Sequence, residues 1–494
     1  MEKLLDLIHA GQLTDWTQRC RDAFDELFGS AGGRYPERAR QSVTLRAPEF
    51  RSGSGGVPFA ALIDPSNPDS GAYGGMSFVI FPMEDRPALL SMVIGTQGLN
   101  PDEEVLGRPG HGRKVAAICN WLNKQYGRGK MVAWAKQDPA RIDLDMPGNI
   151  KKLFADYHPV FTRYGRVIYG LYAPDPDKDS DRQGTEECLK AFLDLMFSER
   201  GHQSLKGAET DARRIQAAYY SYMLPDCSAD EVASLLEQRK YVVLQGPPGT
   251  GKTRMALELL KDKYQDNGMT IQFHPNTTYE NFVGGLAPLH TEGDLGLQFA
   301  PRPGLLMEAA SKAADQKGRP FLLLIDEINR ADLAKVLGEA IFLLEPSESG
   351  RVLELPYDFG SPLHSQLTLP PNLHILGTMN SSDRSIAIVD IAVRRRFAFL
   401  KLWPQTAVVE AHGCKLMQHA FQELLNIFVE YASEESLDLL PGHSYFLEKD
   451  EEQALTSLRV NLVPLLEEYL KQGYVASFAD SIQAYLQWLE SMSS

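Results

Sequence analysis

The sequence predicts an α/β fold built on a five-stranded parallel sheet, with a mixed α+β domain before it and a helical lid after it. Three observations predict it. Five short apolar runs, at 241–245, 270–274, 321–325, 373–377 and 398–402, alternate with helix-prone stretches. Strands buried on both faces and separated by helices make a parallel sheet. A glycine-rich string over 246–253 joins the first run to a helix-prone stretch, and beyond Thr406 the chain turns helical with no strong strand candidate.

The elements before the sheet follow in order. Apolar residues at Leu4, Leu5, Ile8, Leu13 and Trp16 predict a helical segment over 4–27. Strand-like runs follow at 58–63, 76–82, 88–94 and 166–172, with Gly, Pro, Ser and Asp between them. The acidic, proline-punctuated stretch 173–184 reads as a linker, and the pattern from Glu186 to about Ala218 is helical. The expected division is a 1–172 N-terminal α+β domain, a 173–225 linker and helical connector, a 226–405 α/β subdomain and a 406–494 lid.

Composition excludes some classes. Met1 to Asp6 shows no basic region followed by an apolar stretch, and no apolar run approaches a bilayer span. The five cysteines, Cys20, Cys119, Cys188, Cys227 and Cys414, have no paired spacing. That argues against a disulfide framework or a zinc site and for a reducing, cytoplasmic setting, with no membrane partner. A net charge of −15 means that any nucleic-acid contact must come from a local basic surface.

Four segments carry chemistry. Gly246-Pro247-Pro248-Gly249-Thr250-Gly251-Lys252-Thr253 follows a strand run and opens a helix-prone stretch, the context that a phosphate-binding loop requires. Its glycines let backbone N–H groups converge on phosphate oxygens at a helix N-terminus. Lys252 is expected to reach the β- and γ-phosphates, and the Thr253 hydroxyl to bind Mg²⁺. The run 321–325 ends in Asp326-Glu327. Asp326 is expected to hold Mg²⁺, and Glu327 to orient and deprotonate an attacking water. The run 373–377 leads to Asn380, a donor and acceptor suited to the γ-phosphate or that water, and equally suited to capping a helix. Arg394-Arg395-Arg396 precede the last run. They read either as a solvated basic corner or as an arginine offered to a neighbouring subunit's γ-phosphate.

These segments resemble the McrB family, the nucleotide-hydrolysing motors of modification-dependent restriction systems. The resemblance is carried by Gln272-Phe-His-Pro275 with Tyr279-Glu-Asn-Phe282, Leu324-Ile-Asp-Glu-Ile-Asn-Arg-Ala331, Gly377-Thr-Met-Asn-Ser-Ser-Asp-Arg-Ser385, Arg394-Arg-Arg-Phe397 and Gly442-His-Ser-Tyr-Phe446. It covers 226–450, in order. Ser381-Ser382 stand where the family usually has Thr-Ala, with Asn380, Asp383 and Arg384 in place. The resemblance implies an α/β AAA+ P-loop NTPase with GTP or ATP as substrate and Mg²⁺ as cofactor. Asp326 and Glu327 become the Walker B pair, Asn380 the sensor, and Arg394 and Arg395 the trans-acting arginines. It also implies a homo-oligomer, a hexameric ring, and a nuclease subunit of the McrC kind. No guanine-reading motif settles the base.

In such proteins the leading domain chooses the target, often DNA with a modified base, and 57–65 and 91–96 faintly resemble one such domain. The candidate DNA surface here combines Arg34, Arg38, Arg40, Arg46 and Arg51 with Trp121, Lys124, Tyr126, Arg128, Lys130, Trp134 and Lys136. The other reading is a solvated basic face whose aromatics turn into the core. No nuclease motif is seen in the sequence. The rival functions are a protein-remodelling chaperone of the MoxR or dynein-related kind, and a sensing scaffold whose N-terminal domain is an effector.

Overall fold

The computed structural model describes every residue except 12–13, 30–31, 51–55, 176–181, 290–297, 346–347, 349, 383–389 and 493–494. The chain forms two compact units, Met1–Leu224 with Val429–Ser433, and Pro225–Phe428 with Glu434–Ser494.

The first unit is mixed α+β. Its six strands are β1 (Thr44–Arg46), β2 (Ala60–Ile63), β3 (Met76–Phe81), β4 (Leu89–Ile94), β5 (Ala133–Ala135) and β6 (Ile168–Tyr172). They form one sheet in the order β1-β2-β3-β4-β6-β5, antiparallel at every pairing. β3, β4 and β6 are buried along their whole length, which is why their apolar runs were legible. β1 and β5, three residues each at the sheet edges, were not expected.

Two expectations need correction here. The segment 4–27 is not one helix but two, Glu2–Ile8 and Trp16–Asp25. Gly11, at φ +56, leaves the helical region between them; Leu13 lies outside the described residues. The helices expected as a connector pack within this unit instead. Gln183–Glu199 buries Cys188, Leu189, Phe192, Leu193, Met196 and Phe197, a set too broad for a one-sided amphipathic linker helix. Much of the acidic stretch before it, 176–181, is outside the described residues.

The second unit carries the parallel sheet. In chain order its strands are β7 (Tyr241–Gly246), β8 (Gly268–Gln272), β9 (Gly284–Leu289), β10 (Gln298–Pro303), β11 (Phe321–Asp326), β12 (Val352–Glu354), β13 (Gln366–Thr368), β14 (Leu373–Asn380) and β15 (Ala398–Lys401). Five of them form the sheet β15-β7-β14-β11-β8, parallel throughout. β9–β10 and β12–β13 are antiparallel two-stranded insertions.

Alternation along the strands builds a core on each face. Val242, Leu244, Leu322, Leu324 and Leu376 meet Val232, Leu236, Ala256 and Leu259 of the helices Ala229–Arg239 and Lys252–Asp262. Tyr241, Val243, Leu323, Ile325 and Ile375 face the other way, against Leu306, Met307 and Ala310 of the helix Leu305–Asp315. The helix Ala229–Arg239 starts at a capping box, in which the Ser228 side chain accepts from Glu231 N–H and the Glu231 carboxylate accepts from Ser228 N–H.

After β15 come the lid helices, among them Thr406–His412, Lys415–Tyr431, Val463–Lys471 and Ala479–Ser491. Among the described residues no helix is long and apolar enough to cross a membrane.

Candidate functional site

The site lies where β7, β14 and β11 end side by side. Register pairs Asn380 with Gly246, and Ile325 with Gly377, so the loop after β7, the carboxylates after β11 and the tip of β14 share one edge. In parallel sheets the carboxyl ends around the strand where the chain reverses direction are where ligands bind. Here that strand is β7, with β14 on one side and β15 on the other.

The loop is held in a conformation that needs glycine. Gly249 and Gly251 have φ +80 and +78. A Cβ on Gly246 would lie 2.2 Å from the Leu402 carbonyl oxygen. The Thr250 hydroxyl donates to the Pro247 carbonyl at 3.0 Å, tying the curl together. Gly251 caps the helix Lys252–Asp262, whose first N–H groups point into the loop.

The Lys252 ammonium is buried and donates to the carbonyls of Gly246 and Pro247 at 3.0 and 2.7 Å. Burial pushes it down to about 8, against the pull of the Glu327 and Asp326 carboxylates. A multiply charged anion in the loop would favour the charged form further.

The two residues expected to hold the metal meet directly. Thr253 Oγ1 donates to Asp326 Oδ1 at 2.8 Å. A hydroxyl and one carboxylate at the mouth of a phosphate loop form a hard-oxygen donor set that suits Mg²⁺, which keeps waters and takes further oxygens from phosphate. Sequence reasoning gave no role to Thr378. Its buried hydroxyl donates to the same Asp326 oxygen at 2.6 Å and accepts from Glu327 N–H at 3.1 Å. Its signal was its place, two residues before Asn380 on the neighbouring strand.

Glu327 stands in left-handed backbone, φ 53 and ψ 47, a rare conformation for a non-glycine residue. That turn separates its side chain from the direction of Asp326. The Asn380 amide donates to Glu327 Oε1 at 2.9 Å, so the strand-end geometry, rather than a helix cap, is what Asn380 serves. The other oxygen, Oε2, is buried and accepts no hydrogen bond, with Arg330 Nε 3.4 Å away. Asp383 and Arg384 lie outside the described residues.

The three arginines separate. Arg396 is buried, donates to the Ala392 carbonyl at 2.7 Å, and is held below its usual pKa by burial and then by Arg395. Arg394 and Arg395 are exposed, Arg394 lying 5.2 Å over the Phe399 ring.

The basic cluster of the N-terminal unit divides between core and surface. Arg34 is buried on Asp194 and Asp211, at 2.6 and 2.9 Å. Lys136 is buried and donates to the carbonyls of Arg141, Leu144 and Arg166. Trp121 belongs to the core, Arg40 pairs with Asp25 at 2.8 Å, and Arg46 donates to the carbonyls of Gly71 and Pro68. Arg51 lies outside the described residues. Arg38, Lys124, Arg128 and Lys130 remain exposed, and Tyr126 and Trp134 partly so.

Residues 241–397 match the model of the AAA domain, dynein-related subfamily, a nucleotide-binding domain. The chain is 28% identical over 284 residues to the Type IV methyl-directed restriction enzyme EcoKMcrB subunit of Escherichia coli (strain K12), covering 53% of this chain and 61% of that protein. It is 26% identical over 230 residues to the Type II restriction enzyme BsuMI component YdiS of Bacillus subtilis (strain 168), covering 37% and 66%. The chain thus spans less than two thirds of the length of these two relatives. Both matches and the domain agree with the strand order and the loop, and support a likeness to the McrB-like AAA+ family.

Proposed function

We propose that this chain hydrolyses a nucleoside triphosphate, GTP or ATP, with Mg²⁺, as the ring-forming motor of a restriction system that acts on DNA through a partner nuclease subunit of the McrC kind. The observation that carries the hydrolytic part is the half-satisfied Glu327 carboxylate. Oε1 is fixed by Asn380, and Oε2 is buried without a hydrogen bond, the arrangement of a base awaiting a proton donor.

Mg²⁺ held by Thr253 and Asp326 would supply charge neutralisation at the β- and γ-phosphates. Lys252 gives up its two carbonyl acceptors and turns its ammonium to those phosphates. Thr378 fixes Asp326 and, through the Glu327 N–H, the turn that aims the base. A water between Glu327 Oε2 and the γ-phosphorus forms the new O–P bond as the bond to the β-phosphate oxygen breaks. Its proton passes to Oε2, and the diphosphate stays in the loop.

The restriction setting rests on the two relatives, both components of restriction enzymes by name. DNA as a target has a smaller basis than the sequence suggested, since among the described residues Arg34 and Lys136 are buried, which leaves Arg38, Arg40, Lys124, Arg128 and Lys130 exposed. A second reading, protein remodelling, draws on the dynein-related subfamily of the matched domain. The purified chain with Mg²⁺ should hydrolyse GTP or ATP, faster when DNA is added. Hydrolysis that ignores DNA and rises with a protein client would move the assignment to the second reading.

The exposed arginines support a site completed by a neighbour. Arg394→Ala or Arg395→Ala should lower kcat about 10³-fold, the scale of a trans-acting arginine. Mixing the inactive variant with a Lys252→Ala chain should return activity, because some interfaces then pair an intact loop with an intact arginine. Mixtures as inactive as their parts would refute shared sites. Arg396→Ala should act on thermal stability instead.

A further inference from the structure

The lid helix Lys415–Tyr431 ends inside the first compact unit, to which Val429–Ser433 belong, while the chain on either side belongs to the second. A short run further on, the lid holds the phosphate loop. Gly442 N–H donates to the Pro248 carbonyl at 2.9 Å, and Ser444 N–H donates to the Gly249 carbonyl at 3.1 Å. A Cβ on Gly442 would lie 2.0 Å from the Gly249 carbonyl carbon, so the two backbones touch. The run between the two attachments, 434–441, is packed rather than slack. Glu434–Leu437 is helical, Leu437, Leu439 and Leu440 are buried, and Asp438 pairs with Lys401 of β15 at 2.6 Å.

The first unit grips Val429–Ser433 with the helix Pro109–Tyr126. Arg113 donates from Nη1 to the Val429 carbonyl at 2.6 Å and from Nη2 to the Ala432 carbonyl at 2.7 Å. These are carbonyls that a helix end leaves open, and the cation sits at the negative pole of the lid helix. Lys114 is buried and pairs with Glu430 and, at 2.9 Å, with Glu199. Arg108 lies 5.4 Å over the Tyr431 ring. Backbones touch here too, since a Cβ on Gly110 would lie 2.5 Å from Glu430 Cα and 2.7 Å from the Val429 carbonyl oxygen.

The same helix is tied to the sheet of its own unit. His111 Nε2 and the Tyr169 hydroxyl of β6 are 3.0 Å apart, and Asn123 Oδ1 accepts from Val132 and Ala133 N–H at 2.8 and 2.9 Å, at the start of β5. Next to Asn123 and beyond come Lys124, Arg128 and Lys130, exposed cations of the candidate DNA surface. One helix of 18 residues, about 27 Å long, thus has the lid segment at one end and those cations at the other.

We propose that helix Pro109–Tyr126 is a lever that couples the nucleotide state of the loop to the N-terminal unit by way of Val429–Ser433; this rests on the assignment of 246–253 as the phosphate loop. A nucleotide that fixes the loop fixes the Pro248 and Gly249 carbonyls, then Gly442 and the packed run behind it, then the carbonyls that Arg113 holds. Fewer openings at that joint mean fewer openings of the lever. Linkage makes the effect reciprocal: whatever binds at the far end of the helix changes nucleotide affinity by the same factor.

Hydrogen–deuterium exchange of the full chain, with and without GDP or ADP in Mg²⁺, reads the coupling. In the wild type the diphosphate should slow exchange of the 246–253 amides and, by about tenfold, of the 113–126 amides. Arg113→Ala removes both bonds to the lid segment. Gly110→Ala drives a methyl into Glu430, although alanine otherwise suits a helix better than glycine. In each variant the slowing at 246–253 should remain, and that at 113–126 should shrink to within about twofold of none. Arg141→Ala, which breaks only an exposed pair with Asp143, should keep the full response.

The proposal is overturned if the wild-type chain shows slowing at 246–253 and none at 113–126, a result that needs no variant to fold. It is overturned as well if the response survives in a folded Arg113→Ala or Gly110→Ala chain, as protection by ring assembly would, or if Arg141→Ala abolishes it. A wild-type chain that binds neither diphosphate would instead remove the phosphate-loop assignment beneath it.

Discussion

Glu327→Gln stops hydrolysis and leaves nucleotide binding in place. Glutamine has the shape of glutamate, so the Asn380 amide keeps an oxygen acceptor at the Oε1 position, 2.9 Å away in the parent. The left-handed backbone at φ 53 is unchanged in kind, and Thr378 still accepts from the residue 327 N–H. What is lost is a basic oxygen at Oε2, the atom that no hydrogen bond satisfies. Removing a general base lowers rates by about 10²–10⁴, so kcat for GTP or ATP should fall about 10³-fold, measured as phosphate release with Mg²⁺ present. Kd for the triphosphate, read by calorimetry, should stay within about twofold, since the carboxylate repels rather than holds the γ-phosphate. If turnover survives at the wild-type rate, Glu327 is not the base. If binding is lost with turnover, its part is structural.

Lys252, Asp326 and Glu327 were legible in the sequence because each belongs to a short string whose neighbours report its context. A glycine run after a strand, or two carboxylates ending an apolar run, carries its meaning within about ten residues. The five parallel strands were legible for the same local reason, since burial on both faces leaves an uninterrupted apolar run. Contacts made across the chain were not. Arg34 looked like a surface cation, yet its partner Asp194 is 160 residues away. Lys136 looked the same, and its partners are three backbone carbonyls that no pattern announces. Helix Gln183–Glu199 read as a connector because periodicity shows that a helix is apolar, not which sheet it covers. The edge strands β1 and β5, three residues each, fall below the length at which alternation can be seen. The clasp of the lid on the loop joins Pro248 to Gly442, and although 442–446 resembles a family motif, nothing in its pattern tells that it touches a loop almost 200 residues earlier.

That glycine gives the second large effect. Gly442 has φ −68 and ψ 164, extended backbone open to any residue, so conformation does not demand glycine there. Space does. A Cβ at Gly442 would meet Gly249 C at 2.0 Å, Gly249 O at 2.2 Å and Thr250 N at 2.5 Å, all backbone atoms of the phosphate loop that no rotamer change can move. Gly442→Ala must therefore part the lid segment from the loop or distort the loop, breaking the bonds to Pro248 and Gly249. Overpacking of this kind costs about 1–3 kcal/mol, visible as a lower Tm, and a displaced loop no longer converges its N–H groups on phosphate. The affinity for GDP or ADP should fall about 100-fold, or roughly 2.7 kcal/mol. Gly207→Ala, in the helix Lys206–Tyr220 with nothing within 4 Å of the new Cβ, is the control. It adds the same methyl in open space and should raise stability by about 0.4–1 kcal/mol. A Gly442→Ala chain that melts and binds like wild type would mean that the lid does not hold the loop in solution.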